Sequence, residues 1–100
     1  MGYNTSMIKS FKHKGLEMFF KTGNKKGIQA IHADKLSRIL LVINKMTKMS
    51  DLDSPAYRLH KLTGNMQNLW SVTVQANWRL TFEFDENTNN IYILDYIDYH

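Results

Sequence analysis

The spacing of apolar residues changes near the middle of this chain, and this change constrains the fold more than any other feature. Between residues 36 and 46 the apolar residues form one helical stripe: Leu36, Ile39, Leu40, Ile43 and Met46. After Pro55, apolar and polar residues alternate in two runs, 69–74 and 77–84, which is typical of half-buried strands. This order predicts an α+β domain in which an N-terminal strand and two helices pack on an antiparallel sheet.

Local signals set the limits of the two helices. Leu16, Phe19 and Phe20 recur at helical spacing, and Gly23 predicts the end of this first helix because glycine tolerates the left-handed cap conformation. Asp34 is expected to cap the start of the second helix.

Further strands are predicted outside the two alternating runs. We expect a short first strand at Ile8–Phe11, a strand at Tyr57–Leu62 and a last strand at Ile91–Ile97. The tight turn between the alternating runs requires an unusual backbone angle, for which Asn77 is the expected residue.

Length and composition bound the class of protein. One hundred residues, 43% of them hydrophobic, make one globular domain, which we place at residues 7–100 after a disordered lead-in or added upstream residues at 1–6. Cysteine is absent, so disulfides and thiolate metal sites are excluded. No run reaches the roughly 18 apolar residues of a membrane span. No signal peptide is visible either, so we expect a cytoplasmic protein without membrane association.

The charges are divided unevenly between the two halves of the chain. Residues 1–50 contain ten Lys and Arg residues and two acidic residues, a net charge of +8. Residues 51–100 contain three Lys and Arg residues and seven acidic residues, a net charge of −4. A basic half on a small domain favours a polyanion, above all nucleic acid, as partner. The alternative is a pair of helices with a solvated lysine surface.

Arg79 is the cation most suited to chemistry. The core-facing alternation of its run places it on the opposite sheet face, beside Ser71, Thr73 and Thr81. Its planar guanidinium suits a phosphate. The alternative is an ion pair with Glu83, two residues along on the same face.

Four histidines offer acid–base chemistry. His13 and His32 fall in helical or loop contexts that indicate solvated side chains. His60, within a predicted strand, and the last residue, His100, would form an acid–base pair if they flanked Arg79. The alternative for His60 is a structural role in its strand, with its hydrogen bonds satisfied. The alternative for His100 is that it belongs to a frayed chain end. No metal-ligand pattern or phosphate-binding glycine loop occurs, so we expect neither a metal nor another cofactor.

Five segments together resemble one family from residue 7 to the last residue. They are MIKSFKHKGL (7–16), YRLH (57–60), WSVTV (70–74), ANWRLTF (76–82) and DYIDYH (95–100). In order and spacing they resemble the HigB-type toxins, the plasmid maintenance system killer family. The resemblance implies a RelE-like fold and a toxin that cleaves messenger RNA on the 70S ribosome and so inhibits translation. It also implies a HigA-type helix-turn-helix antitoxin, with operator DNA contacted only through that antitoxin.

The resemblance further implies the working residues, which are His60, Arg79, Asp98, Tyr99 and His100. In metal-independent cleavage the ribose 2′-OH attacks the phosphate, so Arg79 would stabilise charge while His60 and His100 transfer protons, in an order left open. Tyr99 would stack on a base or orient the phosphate, and Asp98 would orient a neighbour.

The lysines would supply RNA affinity. Those expected to contact RNA are Lys9, Lys12, Lys14, Lys25, Lys26 and Lys61. Thr63 stands where the family commonly has a lysine, and Lys61 is the expected substitute because residues two apart on a strand share a face. The alternative function is a non-cleaving RelE/ParE-like toxin or binding module, such as a gyrase poison.

Overall fold

A computed structural model describes residues 5–64 and 68–98. Its helices are α1, Lys14–Thr22, and α2, Ala33–Ile43. Its strands are β1, Met7–Ile8; β2, His60–Lys61; β3, Leu69–Gln75; β4, Trp78–Asp85; and β5, Asn90–Asp98. Two 3-10 helices, Ala30–His32 and Met49–Leu52, precede and follow α2.

The strands form one sheet in the order β1-β5-β4-β3-β2. The pairs β5–β4, β4–β3 and β3–β2 are antiparallel, whereas β1 runs parallel to β5, so the sheet is mixed. The predicted α+β class is confirmed. None of the helices in the two described ranges has the length and apolarity to cross a membrane.

One face of the sheet carries the core. Val72, Val74, Leu80 and Phe82 are fully buried, as the alternation of β3 and β4 predicts, and they pack in the same cluster as the apolar stripes of the helices. The helices therefore cover this face, and alternation turns Arg79 to the other one.

The predicted helices are confirmed, with changes at their ends. Gly23, at φ 80°, ends α1 as expected. Asp34 lies in the first turn of α2 rather than capping it, because a 3-10 helix leads directly into α2 at His32. The helix α1 starts where Gly15 and Gly27 touch, since a Cβ on Gly27 would lie 2.4 Å from the Gly15 Cα.

Two strand predictions and one turn prediction differ from the structure. The first strand is Met7–Ile8 and not Ile8–Phe11, with Phe11 forming only an isolated bridge to Leu94. Tyr57–Leu62 is a strand only at His60–Lys61, because Arg58 has φ 49° and interrupts the extended backbone. In the β3–β4 turn it is Ala76, at φ 52°, and not Asn77 that adopts a left-handed conformation.

Ser6, assigned above to the lead-in, is buried against α2. Its amide donates to the Met46 carbonyl at 2.7 Å and its hydroxyl donates to the Ile43 carbonyl. Residues 1–4 lie outside the described residues.

Candidate active site

Two of the predicted site residues, His60 and Arg79, share the sheet face that the helices leave open. His60 on β2 lies opposite Ser71, and Arg79 on β4 lies opposite Thr73, two residues further along β3. Residues opposite each other in a ladder, and residues two apart, point to the same face. Strand spacing then separates the two Cα atoms by about 12 Å. His60 and Arg79 therefore lie on the same face, His60 on the edge strand and Arg79 on the strand beyond β3.

A polar row crosses the sheet beside these residues. His60, Ser71, Thr81 and Asp95 lie opposite one another on four adjacent strands. Ser71 and Thr81, two of the small hydroxyl residues predicted beside Arg79, are only 3% and 4% exposed. The larger groups, His60 and Arg79, lie on the same face as these two residues.

The Arg79 guanidinium lies over the β3–β4 turn. Its Nη1 donates to the Ala76 carbonyl at 2.5 Å and to the Trp78 carbonyl at 3.2 Å. The alternative ion pair with Glu83 is absent, since the one ion pair seen within residues 5–64 and 68–98 joins Lys21 to Glu17. Arg79 is thus held by neutral carbonyl oxygens, which orient the guanidinium without neutralising its charge.

His60 is exposed at the sheet edge and has one ring nitrogen engaged. Its Nδ1 lies 3.0 Å from the Arg58 carbonyl oxygen. A carbonyl only accepts hydrogen bonds, so we assign the proton to Nδ1, which donates. This assignment leaves Nε2 as the nitrogen that can accept or release a proton.

The predicted terminal residues are only partly described. Asp98 is the last residue of β5, is exposed, and lies opposite Trp78, the neighbour of Arg79. Alternation places Asp98 on the face that carries Tyr96, not on the face of Arg79. Tyr99 and His100 lie outside the described residues.

The six lysines predicted to contact RNA are all exposed, but they occupy opposite edges of the molecule. Lys9 and Lys12 lie on the segment bonded to β5, through amides that donate to the Ile91 and Leu94 carbonyls. Lys14 starts α1, and the Gly15–Gly27 contact brings the loop with Lys25 and Lys26 close to it.

Lys61 lies at the far edge, on β2. It is opposite Trp70, with its Nζ 5.8 Å from the Trp70 ring centroid. Adjacent strand residues point to opposite faces, so the structure does not bring Lys61 to the face of His60. From the sequence, Lys61 is expected to share a strand face with position 63 and so to replace the family lysine there. Thr63 lies beyond the end of β2, so the two residues are not on one strand.

Two histidines interpreted as solvated have structural partners. His13 is the N-cap of α1, where its Nδ1 accepts the Leu16 amide proton at 2.9 Å. His32 is 3% exposed. The sequence does contain a signal for this burial, because His32 lies four residues before Leu36 and so continues the apolar stripe of α2.

A concavity among the described residues lies away from His60 and Arg79. It has a volume of about 500 Å³ and is lined by Lys61, Trp70 and Tyr92 together with the acidic residues Glu83, Asp85 and Glu86. Three carboxylates oppose the binding of a polyanion, so the open face with His60 and Arg79 remains the better nucleic-acid site.

Comparison with known proteins identifies similar sequences. A family model described as the RelE-like toxin of the type II toxin–antitoxin system HigB matches residues 9–100. A Proteus vulgaris protein named Endoribonuclease HigB is 45% identical over 94 residues, covering 94% of this chain and all of that protein.

Solved structures are similar in fold at low sequence identity. The YoeB dimer from Staphylococcus aureus aligns over 99% of both chains with a TM-score of 0.52 and 15% identity. The conserved hypothetical protein HP0892 from Helicobacter pylori aligns over 92% of both chains with a TM-score of 0.48 and 16% identity. The YoeB alignment supports the α+β architecture described above.

Proposed function

Since the chain belongs to the HigB family of RelE-like toxins of type II toxin–antitoxin systems, we propose that it is an endoribonuclease that cleaves messenger RNA on the ribosome. Cleavage of translated message inhibits translation and growth. The observation that carries the proposal is the placement of His60 and Arg79 on one open sheet face, where the partners of the Arg79 guanidinium among the described residues are carbonyl oxygens.

The reaction needs three groups and no metal. A base takes the proton of the ribose 2′-OH, the 2′-oxygen attacks the adjacent phosphorus, and the bond to the 5′-oxygen breaks as an acid protonates that oxygen. The products are a 2′,3′-cyclic phosphate and a free 5′-hydroxyl. The phosphorane carries extra negative charge, which Arg79 stabilises with its planar donors.

His60 exchanges a proton through Nε2. The hydrogen bond from Nδ1 to the Arg58 carbonyl, at 3.0 Å, fixes the ring and leaves Nε2 for the substrate. The same nitrogen serves whether His60 is base or acid, and His100 takes the complementary role. Tyr99 stacks on a base or orients the phosphate, and Asp98, paired with Trp78 beside Arg79, orients a neighbour.

The lysines outside the centre bind ribosomal RNA. Lys9 and Lys12 beside β5, and Lys14, Lys25 and Lys26 around the start of α1, form an exposed basic edge. Phosphate neutralisation there releases counterions and makes association salt-sensitive. The ribosome positions the message, which explains why few catalytic groups suffice.

The biological setting follows from the same family. The toxin acts in the cytoplasm and is neutralised by a HigA-type helix-turn-helix antitoxin. Operator DNA is bound only through that antitoxin.

Primer-extension mapping of message ends after induction tests the proposal. The wild-type chain should give cuts within translated codons, and Arg79→Ala should abolish both the cuts and growth arrest. Loss of one transition-state donor costs about 10²–10³-fold in rate. Arg38→Ala, an exposed arginine on α2, is the matched control and should behave as wild type.

Two results would contradict the proposal. Full toxicity of a folded Arg79→Ala chain would remove Arg79 from the reaction. Intact message with stalled replication would indicate a gyrase-type target instead.

A further inference from the structure

Three aromatic rings lie directly behind the Arg79 turn, on the core side of the sheet. We call His32, Trp78 and Tyr96 the aromatic clamp. The Trp78 and Tyr96 ring centroids are 4.6 Å apart, and the His32 ring meets Trp78 edge-on at 5.6 Å and Tyr96 at 6.0 Å. Such contacts favour a fixed arrangement of the rings.

Hydrogen bonds lock two members of the clamp. The Tyr96 hydroxyl lies 2.6 Å from His32 Nδ1 and accepts the Gln29 amide proton at 3.3 Å. With its oxygen accepting from Gln29, the hydroxyl proton is available to His32, so we assign Nδ1 as the acceptor of a neutral imidazole. Both residues are 3% exposed, so this bond is shielded from water.

The clamp contacts the turn that orients Arg79. Trp78 is both a clamp member and the residue whose carbonyl accepts from the Arg79 guanidinium. On the other side of the turn, Gln75 lines a cavity of about 330 Å³ together with His32. His32 thus contacts Trp78 and lies beside Gln75, the two residues that flank Ala76 and Asn77.

The turn needs such support because its conformation is strained. Ala76 has φ 52°, which is unfavourable for a residue with a Cβ. The ladder between β3 and β4 also shifts register between Thr73 and Gln75. The Ala76 carbonyl that accepts from Arg79 Nη1 belongs to this strained residue. Movement of the turn would therefore move the guanidinium.

We propose that His32 and Tyr96 are positioning residues that hold the β3–β4 turn and, through its carbonyls, the Arg79 guanidinium. The inference rests on the proposed endoribonuclease function, in which Arg79 stabilises the phosphorane. Neither residue faces the substrate, since both lie on the core side of the sheet. Their effect is on the orientation of Arg79, to which catalysis is sensitive because small misplacements are costly.

Tyr96→Phe is the sharpest test, because it removes one oxygen and keeps the ring. We expect kcat of message cleavage to fall about 10-fold or more, with KM within twofold of wild type. Tyr92→Phe is the matched control: it removes the hydroxyl of a half-buried tyrosine on the same strand, at the end remote from Arg79, and should leave kcat unchanged. His32→Phe should lower kcat in the same way as Tyr96→Phe, again with KM close to that of the wild type.

A double-mutant cycle separates positioning from general stabilisation. If Tyr96 acts through Arg79, Tyr96→Phe should cost little in an Arg79→Lys background, where the two-carbonyl contact is already lost. If Tyr96→Phe lowers kcat equally in both backgrounds, or does not lower it in the wild-type background, the inference is overturned. Wild-type kcat for Arg79→Lys and Arg79→Ala would instead refute the proposed function.

NMR of the Arg79 side chain gives a readout independent of activity. The Arg79 Nε–H signal should show an ordered side chain in the wild type and in Tyr92→Phe, and increased mobility in Tyr96→Phe. An unchanged Arg79 signal in a folded Tyr96→Phe chain would also overturn the inference. If His32→Phe fails to fold, these Tyr96→Phe measurements decide alone.

Discussion

His60 and Arg79 lie two strands apart on the same face of the sheet, with Ser71 and Thr73 of β3 between them. On this face the intervening strand carries only small hydroxyl side chains at these two positions. This relationship places a proton-transfer group and a phosphate-binding cation on either side of an open surface.

His60→Ala should abolish cleavage without unfolding the chain. A positioned general acid or base contributes about 10²–10⁴-fold, and His60 is exposed, so its loss leaves the core intact. Cleavage rate and thermal unfolding should be measured together. Thr63→Ala, at an exposed position just beyond β2, is the control. An equal loss of cleavage rate in both variants would contradict the assignment.

Deletion of Tyr99 and His100 should abolish cleavage, because it removes the second proton-transfer group. A bulky C-terminal extension should also weaken cleavage, whereas the same extension at the N-terminus should not. The rates are compared at equal amounts of folded protein, judged by circular dichroism. Full activity of the folded deletion variant would limit these residues to a structural role.

Reversing the charge of Lys25 and Lys26 should weaken association with the ribosome and reduce its salt dependence. Each lost phosphate contact lowers the slope of log K against log salt by about 0.7–0.9. Sedimentation at several salt concentrations measures this slope. Lys45→Glu with Lys48→Glu makes the same change in net charge outside the predicted basic edge, and an equal loss in that variant would indicate a nonspecific effect.

The stability of the fold should decrease as the pH falls below about 6.5. Burial lowers the pKa of His32 below its ordinary value of 6.5, and the nearby charge of Lys35 lowers it further, while Gln75 opposes the shift. The unfolded chain then binds a proton that the folded chain excludes, so the free energy of unfolding is highest above pH 6.5. Urea unfolding between pH 5 and 8 should show this slope, and His32→Phe should reduce it. An unchanged slope would contradict the assignment.

Ile93→Asn should stabilise the chain by up to about 1 kcal/mol, since asparagine tolerates the left-handed region better than a β-branched residue. Ile93 has φ 48°, is 40% exposed, and lies where β5 shifts register against β4. Ile31→Asn, at a 79% exposed position, is the control for lost apolar contact. Urea unfolding compares the free energies of unfolding of both variants with that of the wild type, and a value for Ile93→Asn no higher than the wild-type value would refute the prediction.

The sequence alone determined the layers of the fold and the face of Arg79. The helical stripe from Leu36 to Ile43 and the alternation from Trp78 to Phe84 are local patterns, and burial of apolar surface follows such patterns directly. The motif resemblance also indicates His60 and Arg79 as site residues without any knowledge of their positions in space.

The tertiary structure decided which groups meet. The burial of His32 against Tyr96, and the left-handed angle at Ala76 instead of Asn77, depend on residues distant in the chain. The parallel pairing of β1 with β5 and the absence of an Arg79–Glu83 ion pair have the same origin. The local sequence pattern specifies the face of a helix or strand on which a side chain lies. The partners of that side chain are fixed only when strands and helices pack, because side chains then compete for the same space and hydrogen bonds.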